Sequence, residues 1–134
     1  MALEFDRSLI GSEFDHSLHG AVSQEDIDAY AAASGEPLLG PGIAPPTFVV
    51  SLRTHRFLPP HLPNLGRSGF DAGKDIEFGV PVRAGDVLES RSTVHEIYEK
   101  TGRSGSMRFI VLRTQVTNQR GERVATIDQK MMFR

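Results

Sequence analysis

The side chains that could do chemistry in this 134-residue chain are a few histidines, many arginines and one carboxylate in a glycine- and proline-rich loop. His16 and His19 are close enough in sequence to raise the question of a metal. On a strand, however, a spacing of three puts them on opposite faces, so one solvated and one partly packed imidazole is expected. His55 and His61 each stand without an obvious orienting partner, and a capping or surface role is expected for both. Twelve of the fifteen cations are arginine. Arg53, Arg56 and Arg83 are the candidates for phosphate, because a guanidinium fork matches phosphate oxygens; most of the others read as solvated surface. Gly42 and Ala44 would let a ligand approach the backbone closely, as an oxyanion donor requires. With no cysteine in the chain, disulfides, thiolate catalysis and cysteine-ligated zinc are excluded.

The elements that must position these groups centre on residues 23–56. Ser23 followed by Asp26 resembles a capping box, with Asp in place of the usual Glu or Gln. Glu25 and Asp26 lie in the first turn, where the helix dipole favours acids. Ile27, Tyr30 and Ala31 share a narrow apolar face. Gly35 supplies a left-handed stop, and Pro37 prevents continuation. A helix of about eleven residues follows from these signals. Residues 36–46 (EPLLGPGIAPP) form a loop that is unusually apolar, so it should pack against a pocket or an interface. Pro46 then suits the first position of a second helix, expected over about 46–57, with Phe48, Val49, Leu52 and Phe57 on one side. Residues 58–68 read as a second, proline-rich loop or flap.

From Phe70 onward the pattern is strand-like. Strands are expected over 75–82, 87–99, 106–118 and 123–133, joined by tight turns such as Arg83–Asp86, with a weaker one at 14–22. Asp86 reads as a turn-former rather than a base. One helix with an apolar face among strands has to be covered by them. The fold class is therefore α+β: an antiparallel sheet wrapped around a central helix at about 46–57, in a single domain spanning 1–134. An apolar fraction of 39% supports a packed core without staples. A net charge of −2 and the absence of a basic run argue against nucleic acid as a partner. The first residues, MALEFDRSLIGSEFDHS, read as neither a signal peptide nor a membrane span, so no membrane partner and a cytoplasmic location are expected.

Four pieces taken in order resemble MaoC-like dehydratases of the (R)-specific enoyl-CoA hydratase family: Tyr30 to Pro37 (YAAASGEP), Ala44 to Phe48 (APPTF), Phe78 to Asp86 (FGVPVRAGD) and Gly121 to Thr126 (GERVAT). The likeness covers roughly residues 10–134 and is nearest to the N-terminal hot-dog domain of that group. It implies a hot-dog fold, an acyl-CoA or acyl-carrier thioester as substrate, and reversible addition of water to a trans-2-enoyl thioester to give the (R)-3-hydroxyacyl product. It implies no cofactor. Active members carry the pattern Tyr-x-x-x-Thr/Ser-Gly-Asp-x-Asn-Pro-x-His, whose Asp and His share the protons of one water. Here Tyr30, Ser34 and Gly35 match, but Glu36 stands where Asp belongs and Leu38-Leu39-Gly40-Pro41 replaces the remainder. No histidine occurs between His19 and His55.

Three readings follow. In the preferred one, the chain is a non-catalytic or degenerate subunit that shapes an acyl pocket, as a homodimer or with a catalytic MaoC-like subunit. In the second, it is a self-sufficient hydratase or thioesterase whose general base is Glu36, helped by Thr47, His55 or His61. In the third, it is an acyl-CoA binding module without chemistry. The expected substrate-binding residues are Tyr30, Gly35, Leu39, Gly42, Ala44, Thr47, Arg53 and Arg83. No metal is expected.

Overall fold

Period-two burial defines the strands. Along the longest of them Leu88, Ser90, Ser92 and Val94 are buried, while Arg91 between them is exposed and Glu89 and Thr93 are half-buried. Such alternation is what a sheet with one covered face imposes on its sequence. The computed structural model describes residues 7–59, 69–103 and 105–134. Its strands are β1 (Glu13–Ala21), β2 (Gly69–Phe78), β3 (Val87–Gly102), β4 (Gly105–Thr117) and β5 (Arg123–Phe133). They form one five-stranded sheet in the order β1-β3-β4-β5-β2. Every pairing is antiparallel. Register places Asp15 opposite Ser92, Ser92 opposite Thr114, Thr114 opposite Ile127, and Ile127 opposite Ile76, which makes one continuous row across the inner face.

The helix α1 (Gln24–Ser34) begins and ends where its sequence signals place it. The Ser23 hydroxyl accepts the Asp26 N–H at 3.0 Å, and Gly35, at φ 74°, donates its N–H to the Ala31 carbonyl at 3.0 Å. One residue of α1, Ile27, is fully buried, and Tyr30 packs beside it against the core of Phe48, Val49, Leu88, Val116 and Ala125. That is the narrow face its sequence predicts. A second cluster of Val94, Ile97, Ile110 and Leu112 fills the opposite end of the sheet.

The second helix differs from expectation. In place of a helix over 46–57 there is a short 3-10 helix, Pro46–Ser51, after which Leu52 is extended at φ −66°, ψ 132°. Two causes act together. The β-branched residues Thr47, Val49 and Val50 disfavour continued helix. Further on, the His55 and Arg56 N–H groups donate to the Ser17 hydroxyl (3.1 Å) and the Asp15 carboxylate (2.7 Å) of β1 rather than to carbonyls of the preceding turn. Phe48 and Val49 still face the core and Leu52 is half-buried, but Phe57 is 64% exposed instead of completing an apolar side.

β2 begins at Gly69, earlier than its alternating core 75–82 suggests, because it is an edge strand with nearly every residue exposed and so carries little burial signal. It ends at Phe78, ahead of Pro81. Gly79 continues the contact with β5, its N–H reaching the Val124 carbonyl at 2.7 Å. A Cβ at Gly79 would lie 2.0 Å from the Arg123 carbonyl oxygen, so only glycine allows this approach. Residues 60–68, including His61 and most of the expected flap, lie outside the described residues.

Candidate active site

The last turn of α1, the left-handed Gly35 and the 3-10 helix Pro46–Ser51 bring three of the sequence candidates together. Tyr30 reaches across so that its hydroxyl lies 2.6 Å from the Thr47 hydroxyl, and Thr47 in turn hydrogen-bonds the Glu36 carboxylate. An ionised carboxylate only accepts, so the Thr47 proton goes to Glu36 and Tyr30 donates to Thr47. The Tyr30 ring is held edge-on to Phe48 at 5.7 Å, which fixes the direction of its hydroxyl. All three residues are half-buried. The second oxygen of Glu36 remains an acceptor that can orient a water and take one of its protons. Among the described residues no histidine is hydrogen-bonded to Glu36.

The remaining candidates fall around this centre. Leu39 and Ala44 line an apolar cleft of about 150 Å³ with Phe78, Val82 and Val124. Residues 42–44 run beside 82–84: Ala44 N–H donates to Val82 O at 2.9 Å, Ala84 N–H to Gly42 O at 2.8 Å, and Ile43 bridges Arg83. The Ala44 amide is therefore already engaged, which corrects its expected availability as an oxyanion donor. Arg83 is exposed on the turn that follows. Its N–H donates to Asp86 Oδ2 at 2.8 Å, and Asp86 also accepts from Gln119 at 3.0 Å. Asp86 is thus a buried turn-former, as expected. Arg53 is exposed and shares an open groove with Tyr30 and Phe48. The phosphate candidates Arg53, Arg56 and Arg83 thus sit on separate surfaces: the groove, a second cavity and a turn.

One group of buried polar residues escaped the sequence reading. Asp15 and Ser17 on β1, and Ser90 and Ser92 on β3, are all buried on the inner face. Ser17 donates to Asp15 Oδ2 at 2.6 Å, and Ser92 and Thr114 hydroxyls lie 2.7 Å apart. His19, half-buried on the same side of β1, meets Ser90 at 2.8 Å. Burial, the larger cause, lowers the His19 pKa from 6.5; Asp15 opposes this and His55 reinforces it. His16 points the other way, exposed and paired with Glu89 at 2.5 Å. Among the described residues no three His, Asp or Glu side chains gather to hold a metal. The available signal was a polar residue at every second position of β1 from Glu13 to His19 and the pair Ser90 and Ser92 at alternate positions of β3, a pattern that ordinarily marks a solvent face.

The family model described as FAS1-like, dehydratase domain region, matches residues 39–127. No curated protein matches the chain. Among solved structures, the C-terminally truncated HadBC (3R-hydroxyacyl-ACP dehydratase) complex from Mycobacterium tuberculosis aligns at 24% identity and TM-score 0.69, covering 97% of this chain and 99% of that one. A MaoC-like dehydratase from Rhodospirillum rubrum aligns at 22% identity and TM-score 0.62, covering 92% and 91%. The R-hydratase PhaJ1 from Pseudomonas aeruginosa aligns at 19% identity and TM-score 0.62, covering 92% and 81%. With a family model matching residues 39–127, this chain belongs to the FAS1-like dehydratase-region family, and its five-stranded antiparallel sheet with few helices has the hot-dog fold of the MaoC-like dehydratase and hydratase structures it aligns with.

Proposed function

We propose that this chain is a non-catalytic subunit of an (R)-specific enoyl-thioester hydratase or 3-hydroxyacyl-thioester dehydratase, pairing with a MaoC-like subunit that carries the Asp/His pair. The observation that carries this is the state of Glu36. It stands in the motif where Asp belongs and is tied to Thr47 and through it to Tyr30, with no described imidazole bonded to it. Hydration requires one group to take a proton from the water that attacks C3 and another to deliver a proton to the α-carbon, C2. This chain brings one carboxylate without a described imidazole beside it, and in this reading the partner's Asp/His pair does both. Its own contribution is a wall for the acyl thioester, from the apolar loop 38–46 and the cleft lined by Leu39 and Ala44. Complexes of two different chains among its structural neighbours, HadBC and ChsH1-ChsH2 from Mycobacterium tuberculosis, support the reading.

The partner would meet the free edge of β2, whose residues are exposed and include Phe70 and Phe78 at 43% and 46%. An unpaired strand edge carrying aromatic side chains favours pairing with another chain. Among the described residues no helix is long and apolar enough to cross a membrane, and a cytoplasmic site of action is part of the proposal. The purified chain alone should hydrate crotonyl-CoA no faster than buffer, and should gain activity with a MaoC-like partner that contains the Asp/His motif. Robust turnover by the lone chain would overturn the proposal.

The Tyr30–Thr47–Glu36 chain of hydrogen bonds favours one second reading, a self-sufficient hydratase or thioesterase with Glu36 as base. If the lone chain hydrolyses or hydrates any acyl-CoA, Glu36→Gln should abolish that activity; unchanged turnover would remove Glu36 from the role.

A further inference from the structure

The outer face of the sheet carries an aromatic row near the β3–β4 hairpin end. Register sets Tyr98 opposite Phe109, Phe109 opposite Met132, and Met132 opposite Phe70, so the row crosses four strands. Ile97, Ile110 and Met131, each next in sequence to a member of the row, pack in the core on the other side, and alternation therefore turns the row outward. None of its four residues belongs to either core cluster. Phe70 is 43% exposed and the other three are half-buried. Tyr98 and Phe109 stack on each other with centroids 4.9 Å apart.

Three cations border the row. Lys100 Nζ lies 5.8 Å from the Tyr98 centroid and 5.6 Å from that of Phe109, and the Arg134 guanidinium lies 5.5 Å from the Phe70 centroid. Lys130 sits one outward position from Met132, opposite Val111. None of the three forms an ion pair with a described residue. Two neighbouring acids turn to the inner face, where Glu99 bonds Arg108 and Asp71 bonds Gln129. Among the described residues, register leaves one acid, Glu96, beside the row against the three cations. The rings hold two of these cations in place, which lowers the ordering cost when a carboxylate binds them.

Charge and shape select the occupant. A second copy on this face would bring the same cations opposite one another, which is unfavourable. A nucleic acid would need more than three cations to offset the net charge of −2. A lipid surface calls for apolar side chains that reach well past the headgroups, whereas three of these four are half-buried in a flat row. Four strands span about 14 Å, the length of a helix of about ten residues. The geometry points to a docking surface for an acidic amphipathic helix of a partner protein, about three turns long, its aliphatic stripe on the aromatic row and its carboxylates on Lys100, Lys130 and Arg134. A footprint far below the roughly 800 Å² per partner of stable complexes makes the contact a transient one. The surface includes neither Tyr30, Thr47 nor Glu36, and its test reads no catalysis.

The test uses the full chain, methyl and amide NMR, and synthetic peptides of about 18 residues, long enough to form helix in water. One peptide carries Leu at i, i+3, i+4 and i+7 with Glu on both flanks; a second has Lys for every Glu, and a third has Gln for every Leu. The Glu peptide should shift the Met107 and Met132 methyl resonances saturably, and the other two should bind at least about tenfold more weakly. Phe70→Ser, at an exposed edge position, should weaken the Glu peptide about tenfold. Lys100→Glu with Lys130→Glu should weaken it by a similar factor and let the Lys peptide bind instead, an exchange that mere loss of structure would not produce. Equal binding of the Glu and Lys peptides, or shifts confined to other parts of the protein, would overturn the assignment. So would phosphatidylglycerol vesicles or an oligouridylate binding more tightly than the Glu peptide, or concentration-dependent shifts at Met107 and Met132 in the free protein, which would point to a membrane, a nucleic acid or a second copy.

Discussion

Asp15 is 5% exposed, yet its carboxylate is what fixes residues 55–56 over the sheet. It accepts the Arg56 N–H at 2.7 Å and the Ser17 hydroxyl at 2.6 Å, and Ser17 in turn accepts the His55 N–H at 3.1 Å. Asp15→Ala removes both bonds to a charged acceptor, each worth about 1.5–3 kcal/mol. Part of that loss is recovered, because Arg56 is exposed and its amide can turn to water. The expected net cost is about 3 kcal/mol, measured as a lower urea midpoint with an unchanged m-value. Asp15→Asn keeps an acceptor for Arg56 and offers Ser17 a donor, so its cost should be only about 1 kcal/mol. Amide exchange at Arg56 should accelerate on the order of 100-fold in Asp15→Ala, the same free energy read locally. An Asp15→Ala protein within about 0.5 kcal/mol of wild type, or equal costs for the Ala and Asn variants, would refute the tether.

Gly79→Ala should destabilise by about 3 kcal/mol in urea unfolding, since its methyl would displace the Arg123 carbonyl that it meets at 2.0 Å; a neutral result would mean that the β2–β5 junction yields easily. Because burial holds the His19 pKa below 6.5, the folded protein binds fewer protons than the unfolded chain, so stability should be flat above pH 6.5 and fall as pH drops below it. His19→Asn should flatten that slope, and an unchanged slope in thermal melts across this window would assign it elsewhere. Arg113 grips Asp128 through two bonds of 2.8 Å, and the Arg113 hydrogen bond is the main cause of the lowered Asp128 pKa. The stabilisation from Asp128 should persist above its ordinary value of 3.8 and fade as pH falls through the lower folded value. A double-mutant cycle on this partly exposed pair should give a coupling of about 1 kcal/mol at pH 7, against zero if the pair is incidental.

The sequence determined the elements whose signals are local. Ser23 and Gly35 bounded α1 because capping is a matter of a few neighbouring residues, and the strands from Val87 onward were legible because one face of each is covered. It also located the loop 36–46 and the loss of the Asp/His motif. Tertiary structure decided the rest. The helix expected over 46–57 stops as a short 3-10 helix at Ser51, and its later N–H groups find their partners on β1, some forty residues earlier in the chain. The same distance hid the buried row of Asp15, Ser17, Ser90 and Ser92. Alternation reports that two faces differ but not which of them turns inward. A polar inner face is stable only when its hydroxyls and carboxylate meet partners from other strands and segments, and those partners exist only once the sheet has closed over them.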